Sequence, residues 1–104
     1  MSLSELGRFS DPSLLILTSL AAGPKHGYAM MEDIESVSGV KLGPGTLYGA
    51  LTRLEQRGWI EGLPSDDRRR PYRLTATGDS ALREHLSSLE AFARLGMQRL
   101  GMSH

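Results

Sequence analysis

The stretch GPGTLYGALTRLEQRGWI, Gly43 to Ile60, decides how this chain is read. Proline is well placed at a first helical position, where its missing N–H would have had no intrahelical partner, so Gly43-Pro44-Gly45-Thr46 reads as a helix start. Leu47, Ala50, Leu51 and Leu54 then recur at steps of three, one and three residues, which puts them on one helical face. Gly58 ends that helix, and Trp59-Ile60 opens a segment of strand-favouring side chains. The outward positions are Thr46, Gly49, Thr52, Arg53 and Gln56, with Tyr48 at the margin. A helix buried on one side and polar on the other, with small residues and unpaired N–H groups at its start, suits a DNA major groove, and its positive end suits a phosphate.

Working upstream, two more helices are expected. Asp11-Pro12 is a helix start, since the carboxylate can accept from free backbone N–H groups. Leu14, Leu15, Leu17, Leu20 and Ala21 follow, apolar nearly all round, and Gly23-Pro24 is the stop. This predicts a buried first helix rather than a secretion signal, and the apolar run is far shorter than the ~20 residues of a membrane span. Leu3, Leu6 and Phe9 precede it at roughly helical spacing, as a short packing turn. A second helix is expected from about His26 to Ser38, with Tyr28, Met31, Ile34 and Val37 on one stripe, Glu32, Asp33 and Glu35 toward water, and Gly39 at its end. Val40-Lys41-Leu42 reads as a short extended piece.

Downstream, Trp59 to Leu63 and Pro71 to Leu74 are two short strand-like segments flanking Pro64-Ser65-Asp66-Asp67-Arg68-Arg69-Arg70, a hairpin with a polar, cationic tip. Thr75 can cap a last helix, in which Leu82, Leu86, Leu89 and Ala93 step by four, three and four residues, a coiled-coil-like seam with Phe92 beside it. Gly96 is expected to interrupt that helix before Leu100.

With 104 residues the chain builds one modest domain. It has no cysteine, which excludes disulfides and thiolate metal sites and suits a reducing cytoplasm. Formal net charge is zero, but between Lys41 and Arg73 seven basic residues face four acidic ones, net +3, so the charge is polarised toward the third helix and the hairpin. His26, His85 and His104 stand apart without ligand spacing, so neither a metal nor a cofactor is expected. No nucleophile and base, acid/base pair or phosphate loop is visible, and the glycines at 43, 45 and 49 match no nucleotide-binding pattern. The chain is therefore read as a non-enzyme.

Helix, helix, turn, helix, hairpin, helix is the order of a winged helix-turn-helix. The motifs His26-Gly27-Tyr28, Gly45-Thr46-Leu47-Tyr48 with Leu51, Leu54 and Glu55, Gly58-Trp59-Ile60, and Arg70-Pro71-Tyr72-Arg73-Leu74-Thr75 with Gly78 resemble the PadR family of transcriptional regulators over roughly residues 11 to 90. The resemblance implies a mainly α fold with a small antiparallel β-hairpin wing, residues 1–75 as the DNA-binding domain, and residues 76–104 as a single C-terminal dimerisation helix packed on it. It implies a repressor that binds double-stranded DNA at a pseudo-palindromic operator as a homodimer, with room for a small-molecule effector and no membrane. Tyr28, Thr46 and Tyr48 then lie near the DNA backbone and Arg68, Arg69 and Arg70 in the wing. Lys41, Gly45, Gly49, Thr52 and Arg53 complete the expected DNA surface. Leu82, Leu86, Leu89, Phe92 and Ala93 form the expected dimer interface, with Leu3, Leu6 and Phe9 as candidates to join it. Gly49 stands where many members have proline, and the one tryptophan, Trp59, begins the wing, whereas some short members bind flat aromatic drugs between interface tryptophans. The competing class is a winged-helix adaptor that binds protein and not specific DNA.

Overall fold

A computed structural model describes residues 11–65 and 69–102. Among the described residues the order begins with three helices, α1 (Pro12–Ala21), α2 (Gly27–Ser38) and α3 (Pro44–Gln56), with a two-residue strand β1 (Lys25–His26) between the first two. The wing is β2 (Ile60–Gly62) and β3 (Pro71–Leu74), and α4 (Ala76–Arg99) closes the chain. The mainly α fold with a small antiparallel wing is as expected. The sheet, however, has three strands in the order β1-β3-β2, with Lys25 opposite Tyr72 and Ile60 opposite Leu74. Two residues are too few to show a period, so β1 left no pattern in the sequence.

The Asp11 carboxylate accepts from the Ser13 N–H at 3.0 Å and starts α1, which buries Leu15, Ile16, Leu17 and Leu20. Ser19 is buried beside them and donates its hydroxyl to Asp33 at 2.6 Å, while Lys25 donates to the Ser19 carbonyl at 2.5 Å. Asp33 is thus tied to α1 and does not simply face water, a correction to its expected role. The stripe expected on α2 is also corrected. Met30 and Ile34 are the buried pair, while Tyr28 and Val37 are exposed. The cause is the placement of α1 and α3, which lie over the 30/34 side of α2. His26 is the cap rather than the first turn, its Nδ1 accepting from the Ala29 N–H at 3.4 Å. Residues 40–43 form no strand, and Leu42 anchors this loop in the core.

The inward face of α3 is the expected one, with Leu47, Ala50, Leu51 and Leu54 all buried against α1, α2 and Ile60. Burying each of these leucines contributes about 1.5–3 kcal/mol. Gly39 and Gly58 follow α2 and α3 at φ 75° and 74°, left-handed values that turn the chain out of each helix. Thr75 fixes the wing to α4. Its N–H donates to the Trp59 carbonyl at 3.1 Å, its hydroxyl donates to the Gly58 carbonyl at 2.6 Å, and the same oxygen accepts from the Gly78 N–H at 3.1 Å. Gly78 meets the Trp59 carbonyl so closely that a Cβ there would overlap it.

Only Gly78 and Leu82 of α4 are buried. Gly96 does not interrupt the helix, which runs on to Arg99. A single interior glycine costs a helix about 1 kcal/mol relative to alanine, too little to break one of 24 residues. At 1.5 Å per residue α4 is about 36 Å long, so most of it projects from the three-helix body.

Candidate nucleic-acid interface

Three tyrosines from three elements meet on one side of the molecule. Tyr28 stands in the first turn of α2, Tyr48 in the second turn of α3 and Tyr72 on β3. With His26, Gly27, Met31, Pro44, Arg69 and Arg70 they line a cleft of about 470 Å³ between the helix-turn-helix and the wing. Tyr28 is 60% exposed and Tyr48 50%, so neither is a core aromatic. The Tyr48 hydroxyl is set against the start of α2, where Gly27 leaves it space that a Cβ would take. Both rings are therefore half or more open to water, with the Tyr48 hydroxyl held against α2.

Tyr72 is less open. Burial raises its phenol above the usual tyrosine value, the Glu55 carboxylate adds to the rise, and the Arg70 guanidinium opposes it. Arg70 lies over the Tyr72 ring at 5.7 Å and pairs with Glu55 through Nη2 and Oε2 at 3.5 Å. Arg73, further along β3, pairs instead with Glu61 across the hairpin.

Of the remaining expected DNA-facing residues, Lys41 is exposed on the loop between α2 and α3, and Gly45 and Thr46 are exposed in the first turn of α3. The Thr52 hydroxyl donates to the Tyr48 carbonyl at 2.9 Å, which uses its proton inside the helix and leaves its lone pairs outward. Arg53 takes the other flank of α3. Its Nη1 runs back over Gly49, 3.6 Å from where a Cβ would sit, and it lines a second cleft of about 550 Å³ between α1, α3 and α4. The structure therefore gathers Tyr28, Tyr48, Arg69 and Arg70, and sets Arg53 apart from them. Arg68 lies outside the described residues. His26, Met31, Pro44 and Glu55 were not expected at this site; the i to i+3 step from Met31 to Tyr28 was the available signal for Met31, and for His26 and Glu55 it was their place in the motifs that resemble the family.

On α4, Leu82 belongs to the protomer's own core, which corrects its expected place in the seam. Leu89 is half-buried, Leu86 is 43% exposed, Phe92 is 75% exposed and Ala93 is open. Leu95, Leu100 and Met102 extend this exposed apolar surface beyond the expected set. Leu3, Leu6 and Phe9 lie outside the described residues.

Three helices crossed by a small sheet, with a long fourth helix on the sheet's far end, define a winged helix-turn-helix protein. Residues 16–84 match the model of the Transcriptional regulator PadR-like family, and the chain belongs to that family. It is 46% identical over 82 residues to an uncharacterized 37.1 kDa protein in transposon TN4556 of Streptomyces fradiae, a match that covers 79% of this chain and 24% of that protein. It is 40% identical over 84 residues to the transcriptional regulator Rv3488 of Mycobacterium tuberculosis, covering 78% of each. A PadR family transcription regulator from hypervirulent Clostridium difficile R20291 superposes with a TM-score of 0.72 at 26% identity, covering 86% of this chain and 96% of that one. The family is one of transcription regulators rather than enzymes. Among the described residues no helix is long and apolar enough to cross a membrane, and no three His, Asp or Glu side chains are grouped to hold a metal ion.

Proposed function

We propose that this PadR family member is a cytoplasmic repressor that binds a pseudo-palindromic DNA operator as a homodimer. The observation that carries the reading is the convergence of two exposed tyrosines and the arginine-bearing wing beside the open N-terminal turn of α3. Phenol and guanidinium groups suit phosphate oxygens, and the outward face of α3 suits base edges. In this reading Tyr28, Lys41, Thr46, Tyr48 and Arg69 contact the backbone, and Gly49, Thr52 and Arg53 line the groove-facing side. Residues 1–75 form the DNA-binding unit. Residues 76–104 pair with a second copy through Leu86, Leu89, Phe92 and Ala93, because a single protomer leaves that surface in water. Two-fold pairing then sets two copies of α3 about 34–36 Å apart, one turn of DNA.

Selection of bound fragments from a random DNA pool tests both halves at once. An enriched inverted repeat whose affinity falls steeply with salt is the expected result. No enrichment, together with salt-insensitive binding, sinks the reading in favour of an adaptor.

A further inference from the structure

We propose that Arg70 is the positioning residue that fixes the wing against α3, and that it does not hold DNA phosphate. Its consequence for DNA rests on the function proposed above, but its geometry does not. Arg70 immediately precedes β3. Its guanidinium pairs with Glu55 in the last turns of α3, lies over the Tyr72 ring on β3, and crosses the backbone of Gly62 on β2, where a Cβ would fall inside the guanidinium. One side chain therefore touches the recognition helix and both strands of the wing.

Arginine suits this position because its planar fork can face a carboxylate while its flat surface rests on a ring, which the point charge of lysine cannot reproduce. The pair is partly exposed, 54% at Arg70 and 34% at Glu55, so it adds little to global stability. Its effect is on angle. The base of the wing is held by Thr75 and buried Ile60, whereas Arg70 grips β2 and β3 where they lead into the loop that carries Arg69, and so sets where that loop meets the duplex. A phosphate drawn to Arg70 would also leave the Glu55 carboxylate unpaired beside the DNA, a like-charge contact that opposes binding.

The test compares Arg69→Ala, Arg70→Ala, Arg70→Lys, Glu55→Gln and Gly62→Ala on the fragment enriched from the random pool, by salt titration. Arg69→Ala should reduce the slope of log affinity against log salt by roughly one unit, as loss of one phosphate contact does. Arg70→Ala, Arg70→Lys and Glu55→Gln should keep the slope and lose roughly two- to five-fold in affinity, the range of an exposed ion pair. Combining Arg70→Ala with Glu55→Gln should cost no more than either alone. Gly62→Ala, which keeps every charge but displaces the guanidinium, should reproduce the loss. Hydrogen exchange without DNA provides an independent arm. The Leu63 N–H, which donates to the Pro71 carbonyl at 2.8 Å, should exchange faster in the Arg70→Ala and Glu55→Gln proteins. A slope reduced by one unit in Arg70→Ala, a gain in affinity from Glu55→Gln, or unchanged exchange at Leu63 overturns the proposal. If the wild-type protein binds no DNA, the function reading fails on its own and the exchange arm still decides the role of Arg70.

Discussion

The third helix α3 and the projecting part of α4 show the same kind of apolar periodicity in sequence and opposite fates in the fold. In α3, Leu47, Ala50, Leu51 and Leu54 are at most 1% exposed, covered by α1, α2 and the wing. In α4 the seam is fully buried only at Leu82, where α1 lies beneath it, and beyond that point Leu89 is half-buried while Leu86, Phe92, Leu95 and Leu100 meet water. A periodic stripe says that a face will be covered. It does not say by what. The two helices therefore differ in what they leave exposed: α3 spends its apolar face inside the protomer and shows a polar one, whereas α4 shows an apolar one, which under the proposed function meets a second copy.

The largest effect is expected from charging the uncovered seam. Changing both Leu86 and Leu89 to glutamate places like charges where two copies of α4 would meet, and burying unpaired carboxylates costs several kcal/mol. Light scattering at micromolar concentration should report a folded monomer, and binding to the selected DNA should fall with it. A mutant that stays dimeric moves the interface away from α4. Leu51→Ala is the counterpart on α3. Since Leu51 is covered by its own chain, truncation should cost about 2–5 kcal/mol in urea denaturation, whereas Leu86→Ala should change the stability of the isolated protomer by less than about 0.5 kcal/mol. Equal costs at the two positions would erase the contrast.

The same contrast explains what could be read without coordinates. The order of the helices and the buried face of α3 were legible because leucines at helical spacing, bounded by Pro44 and Gly58, leave one solution. The start of α4 was legible through Thr75. The face of α2 was not, because Tyr28, Met31, Ile34 and Val37 and the pair Met30 and Ile34 are both helical stripes, and only the neighbouring helices choose between them. β1 was too short to show a period. At the site, the exposed α3 residues and Arg69 followed from position, but the link from Arg70 to Glu55 joins residues 15 apart and depends on how the wing folds back, which no local pattern records.

An intermediate effect is expected in the covered start of α4. Gly78 is pressed on the Trp59 carbonyl, which is backbone and cannot rotate away, so Gly78→Ala must shift α4 or the wing. Overpacking of this kind costs about 1–3 kcal/mol, against the small gain in helix propensity that alanine brings. The urea midpoint should fall, and the amides of β2 should exchange faster. A neutral or stabilising result would mean that α4 slides freely on the wing and that its first turn is no better fixed than its last.

The smallest effect is expected at the edge of α3's polar face, where the wing covers part of it. Tyr72 marks that edge, and its phenol is held above the ordinary value of 10.0 first by burial and then by the Glu55 carboxylate, with Arg70 pulling the other way. A raised phenol means that the folded protein favours the neutral form. The associated stabilisation is therefore complete below the unfolded value and is lost as pH rises through the folded one. In protein labelled with carbon-13 at tyrosine Cζ, the Tyr72 signal should titrate above a free phenol. Glu55→Gln should move it down and Arg70→Ala should move it up, because each removes a charge of opposite sign. The Tyr72→Phe protein should lose the matching part of the alkaline fall in urea stability. If both variants moved the signal the same way, altered burial of the ring rather than the two charges would control it, and the wing would cover the end of α3 through Tyr72 packing alone.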